Sequence, residues 1–167
     1  YPDLLRIVAE RVKPERERLK GPSDKRDREH WWVFARYRGD MRQAIAPLRR
    51  VLVRSRVSEL HALAFVQKGF VYGDATVVFA YDDDYHFALL QSHLHEVWAR
   101  RHASTMRTDV RYTPTDCFAT FPFPVEEYAA RDLADLLADP RFRAACHLGE
   151  EYHEHRRQVM RARGLGL

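Results

Sequence analysis

Cysteine is nearly missing from this chain: its 167 residues hold 2, Cys117 and Cys146. Both sit among apolar neighbours and neither has a second ligand at zinc-site spacing. They read as buried thiols in a reducing cytoplasm, not as a structural zinc centre. Glycine is scarce too, at 7 residues with no cluster, which removes the P-loop and the dinucleotide fingerprint. No apolar run approaches the roughly 18 residues that a membrane span requires, and there is no signal-peptide pattern. Lysine almost disappears after residue 25, where Lys68 alone remains. Positive charge beyond that point is therefore arginine, the planar, bidentate cation. No internal repeat or low-complexity tract is present.

What is there suits a single domain with a helical appendage: 46% apolar and 12% aromatic residues are enough for a core. The chain starts at Tyr1, without methionine and already in helical register, and is expected to be a piece cut from a longer protein. The net charge of +4 says less than its distribution. Residues 1–61 carry 16 Lys/Arg against 9 Asp/Glu, residues 62–85 one Lys against four Asp, and the last 43 residues seven Arg against eight acids. A local basic surplus is the footprint of a polyanionic partner, and equally of solvated helices.

The chain is organised around His86 to Pro124. Phe87, Leu90, Leu94, Val97 and Trp98 recur at three-and-four spacing, predicting one amphipathic helix over Asp84–His102 with Gln91, Ser92, Glu96 and Arg100 outward. Asp82, Asp83 and Asp84 stand where carboxylates cap its N-terminus, and Arg100, Arg101 and His102 at its negative end. A short basic loop follows, Ala103 to Arg107, and then an aromatic plug, Cys117 to Pro124. Upstream, residues 2–20 read as helix broken near Pro14. Arg50–Val57 reads as a strand with Val51, Val53, Ser55 and Val57 on one side and Arg50, Arg54 and Arg56, with Leu52 between them, on the other. A face with three guanidiniums is expected outside, solvated or against an anion. Leu60–Gln67 and Thr76–Tyr81 suit buried strands, and Asp109–Phe118 holds a short extended segment. Val125–Ala138 and Arg141–Arg163 read as helices, the second capped by Asp139-Pro140 and stopped at Gly164. The fold class is α+β: a small mixed or antiparallel sheet packed on the central helix. Residues 1–30 form a helical lead-in, 31–124 the core and 125–167 a C-terminal helical hairpin.

Nine histidines make no metal motif. His93 and His95 lie about 200° apart on a helix, and Ala99 stands where a second zinc-binding histidine would follow His95-Glu96. No metal is expected. A cysteine nucleophile, Cys117 or Cys146 with a distant histidine, stays open in principle, although apolar surroundings make a thiol inert. Trp31 and Trp32 could stack on bases, one of the pair being core and the other outward. Two basic sets carry the functional reading. Arg36 and Arg38 join Arg50, Arg54, Ser55 and Arg56 in one; Arg100, Arg101, Ser104, Thr105 and Arg107 form the other. Cations grip phosphates, and short polar or planar groups read base edges.

The segments QSHLHEVWAR, TDVRYTPTDCF and FPFP, with VKPER, EHWWVF and RRVLVRSRVS before them and LGEEYHEHRRQVM after, resemble the target-recognition domain of large DNA methyltransferases. The nearest kind is the single-chain restriction-modification enzymes of the MmeI type and related phage-defence methylases. The resemblance spans nearly the whole chain. It implies sequence-specific recognition of double-stranded DNA, with S-adenosylmethionine and catalysis in a methyltransferase domain of the same chain. The Asn-Pro-Pro-aromatic tetrapeptide that holds a target base is absent, so no catalytic residue is expected here. Relatives carry a glycine-rich turn after the central helix, where this chain has His102 to Met106. Two other readings remain: a protein–protein module with an arginine-rich surface, and a cysteine–histidine hydrolase.

Overall fold

A computed structural model describes residues 1–33, 38–106, 109–124 and 133–164, without the side chains of Thr105, Met106 and Leu133. They fall into two compact units, Tyr1–Arg42 and Gln43–Leu167. In the first, α1 (Pro2–Arg11) ends at Val12 and α2 (Lys13–Glu17) restarts with Pro14 in its first turn, where the missing N–H is no loss. Gly21 donates its amide to Asp24 at 2.9 Å, shaping the turn into α3 (Lys25–Glu29). No residue of these helices is buried, and Leu4, Leu5 and Ile7 are exposed. α4 (Gly39–Ile45) begins in the first unit and ends in the second, where Ile45 is buried.

The second unit is α+β and holds two three-stranded antiparallel sheets instead of one. β1 (Arg50–Ser55) lies between β3 (Ala64–Gln67) and β4 (Thr76–Phe79). One residue later the same chain enters the second sheet as β2 (Val57–Ser58). There it pairs with β6 (Asp109–Arg111), whose other neighbour is β5 (Ser104–Met106). Arg56 is the joint: its N–H bonds Ala75 and its carbonyl accepts from Tyr112, both at 2.8 Å.

β1 reverses the expected facing. Leu52, aligned with Phe65 and Phe79, is in the main core, and Arg54, aligned with Val77, is only 3% exposed. The arginine face is thus the inner one. It is tolerated because Arg54 finds polar and aromatic partners inside, while Val51 on the opposite face is also fully covered.

The central helix is two helices meeting at a corner. α5 (Asp84–Gln91) is capped by Asp83, which accepts the His86 N–H at 2.8 Å. Ser92 then adopts extended geometry (ψ 153°) and caps α6 (His93–His102) by accepting the His95 N–H. The residue count around the axis restarts at this corner. Phe87 and Leu90 are fully buried as the stripe requires, but Leu94 and Val97 are 76% and 51% exposed, and His95 and Ala99 turn inward. Gln91, expected outside, faces in. Its amide donates to His61 O and accepts from Leu63 N, covering the backbone before β3.

α7 (Pro114–Cys117) leads into the aromatic plug. Phe118 packs on Phe79, and Phe121 on His95 and Phe123. Within 125–138, the described residues contain α8 (Leu133–Ala138); the rest of that expected helix lies outside them. α9 (Pro140–Arg163) starts on Asp139 and stops at left-handed Gly164 (φ 61°). It packs along α5 so closely that a Cβ on Gly149 would stand 2.1 Å from the Asp84 carbonyl. Tyr85 stacks on Phe142, and Arg156 reaches Gln91 and Leu63 O.

Candidate functional site

Of the arginines singled out, several have internal partners. Arg50 lies flat over Phe65, 3.5 Å from the ring centroid, and bonds Asp84 and the Asp82 carbonyl at 3.0 and 2.9 Å. Arg100 is exposed but held by Glu96 and the Glu59 carbonyl, both at 2.9 Å. The hydrogen bond from Arg100 holds the Glu96 carboxyl below its usual range. Arg56 is half-buried, and its Nε has no partner. Ser55 is exposed, its hydroxyl donating to Val57 O. Arg38 is exposed in the first unit, with a left-handed backbone (φ 55°). Arg36 and Arg107, and the side chain of Thr105, lie outside the described residues.

Arg54 is the centre of a buried set. Its Nη1 lies 3.0 Å from His61 Nδ1, its Nε donates to Ser55 O, and its guanidinium sits over Tyr112 at 4.3 Å. The α5–α6 corner frees the Leu90 carbonyl from helical bonding, and two imidazoles claim it: His61 Nε2 at 2.7 Å and His95 Nδ1 at 2.8 Å. A carbonyl only accepts, so both of those nitrogens carry hydrogen. Arg54 can only donate, so His61 Nδ1 accepts from it and that ring is neutral. Burial agrees, pushing His61 down to about 4. Burial pushes His95 down as well, which favours the neutral ring with its Nε2 accepting from the Tyr112 hydroxyl at 3.1 Å. Burial likewise raises the Tyr112 phenol and lowers Arg54. No carboxylate pairs with Arg54 among the described residues.

Cations free of carboxylates do exist on the second sheet and beside it. Arg101, on the last turn of α6, and Arg111, on β6, are exposed and form no ion pair among the described residues. Arg111 stands opposite Ser104 on β5 and Val57 on β2. Directly paired residues share a face, so Ser104 and Arg111 project together while Val110, on the other face, is buried. Sequence reasoning missed Arg111. Its signal was the alternation Asp109-Val110-Arg111-Tyr112, in which the apolar and aromatic members point in and the charged ones out. Of the tryptophans, Trp31 is half-buried beneath the Lys13 ammonium, and Trp32, packed edge-on to it, is 53% exposed.

Hydrolytic chemistry finds no support around the thiols. Cys117 is fully buried with its Sγ directed at Ala99 O, and burial raises both thiols. Among the described residues, no group of His, Cys, Asp and Glu could hold a metal, and no helix is long and apolar enough to cross a membrane.

The family model described as MmeI, target recognition domain, matches residues 4–125, most of the chain. Neither the curated proteins nor the solved structures contain a match.

Proposed function

Because this chain belongs to the MmeI target-recognition-domain family, we propose that it reads a short sequence in double-stranded DNA for an S-adenosylmethionine-dependent DNA methyltransferase, setting that enzyme's catalytic domain over the target base. DNA sequence recognition within a methyltransferase is the work of this family. The observation that carries the reading here is the β2–β6–β5 ribbon. It sets Arg111, free of carboxylates among the described residues, across from Ser104, and a second such arginine, Arg101, stands on the helix turn before β5. β-ribbon and β-sheet readers place strands in a groove of DNA, where arginine meets guanine in two bonds and serine accepts or donates at a base edge. Arg56, at the joint between the sheets, adds positive charge for phosphates. Arg50, Arg54 and Arg100 serve the fold first.

Among the described residues, no glycine-rich turn is present to take S-adenosylmethionine. A cleft of about 700 Å³ is an exposed wall of carboxylates and imidazoles on α9, including Glu150, Glu151 and Glu154, without the glycine-rich turn that would admit an adenosyl group. The methyl donor in this reading belongs to the catalytic domain.

Titration of duplex DNA against salt tests the proposal. Arg101→Ala is expected to reduce the log–log slope by about 0.9 for each phosphate it no longer neutralises. Arg111→Ala is expected to cost about 1–3 kcal/mol on the preferred site and little elsewhere. Wild-type binding that ignores salt and sequence would refute it.

A further inference from the structure

A cation deep in the second unit serves no surface contact, yet the groups around it are matched donor to acceptor. Arg54 belongs to β1, His61 to the segment before β3, His95 to α6, and the carbonyl the two imidazoles share to the end of α5. Tyr112 closes the set and immediately follows Arg111. Its amide bonds Arg56 O, its hydroxyl bonds His95, and its ring face carries the Arg54 guanidinium. The strands of the ribbon are only two or three residues long, too short to fix their own orientation. Turning β6 about its axis would disturb the bond to Arg56, the stack on Arg54 of β1 and the bond to His95 of α6 together.

We infer that Arg54, His61, His95 and Tyr112 form a positioning set that fixes the angle at which Arg111 leaves the ribbon, and so determine sequence discrimination without touching DNA. Tyr112 and His95 are fully buried, so their effect passes through Arg111. A two-bond contact to a base tolerates errors of about 0.5 Å and 10–20°, so small rotations of the ribbon matter. The inference rests on the DNA-reading proposal.

The test uses the full chain and two duplexes of equal length: one enriched by the wild-type chain from a randomised pool, the other a scrambled version. Tyr112→Phe keeps the ring beneath Arg54 and removes the bond to His95. Its Kd for the enriched duplex is expected to rise about tenfold, the worth of a misaligned base contact, with the scrambled duplex unchanged. A merely structural role would lower the folded fraction, raise both Kd values by one factor and leave their ratio intact. Tyr112→Phe combined with His95→Leu removes the orphaned imidazole nitrogen, so stability recovers while the ratio stays low. A wild-type ratio in both variants overturns the inference alone. A wild-type chain that enriches no sequence overturns the DNA reading and this inference with it.

Discussion

Arg54→Ala separates a cation inside the fold from one on a DNA-binding face. The bonds to His61 and Ser55 O are charge-assisted and contribute about 1.5–3 kcal/mol each. The desolvated stack on Tyr112 adds about 2 kcal/mol, and the two methylenes removed about 0.8 kcal/mol apiece. Against this, taking away a buried cation that has no carboxylate paired with it among the described residues relieves a desolvation penalty of several kcal/mol. The balance is a loss of about 2–4 kcal/mol, within the range of mutations that break a buried network. Arg54→Met, which keeps the stem and sheds the charge, is expected to fall between Ala and wild type. Urea unfolding with linear extrapolation measures both. Replacing Trp31 and Trp32 by Phe in the background leaves Trp98 as the fluorophore of the second unit. An Arg54→Ala chain within about 0.5 kcal/mol of wild type would behave like a surface substitution. If its DNA salt slope also fell by about 0.9, the side chain would be a phosphate contact and the buried placement would be refuted.

Acid should loosen the second unit through His61, beginning below about pH 6.5. His61 is held neutral, its folded value about 4 against an ordinary 6.5. The stability it contributes is complete above pH 6.5 and lost as pH falls towards 4, about 3 kcal/mol in all. Urea midpoints measured over that interval should decline in the wild-type chain and much less in His61→Gln. Gly149→Ala would drive a methyl into the Asp84 carbonyl at 2.1 Å. A loss of about 1–3 kcal/mol or more is expected, and a neutral result in the same unfolding assay would mean that α9 does not lie against α5 so closely.

Propensity and punctuation made many elements legible. Asp83 and Asp139 are caps, Pro14 and Pro140 open helices, Gly164 closes one, and the strands at β1, β3 and β4 fall within their expected stretches. Tertiary context decided the rest. Periodicity could not see that Ser92 leaves the helix, because serine is compatible with a helix and its capping role depends on which way the chain turns. For β1, alternation gave two faces correctly but charge chose the wrong one. The partners that make an internal Arg54 bearable, His61, Tyr112 and the Leu90 carbonyl, lie far away in sequence. Hence both basic sets read as surface, whereas Arg50, Arg54 and Arg100 are engaged within the fold and Arg101, Ser104 and Arg111 remain outside.

β6 divides its labour residue by residue: Val110 and the following Tyr112 point into the protein, Arg111 away from it. Support and display therefore occupy alternate positions of one short strand and can vary independently. An exchange at residue 111 leaves every inward packing partner where it was, so new outward side chains can be tried without renegotiating the interior. A chain built this way can change its preferences by single steps, each already folded.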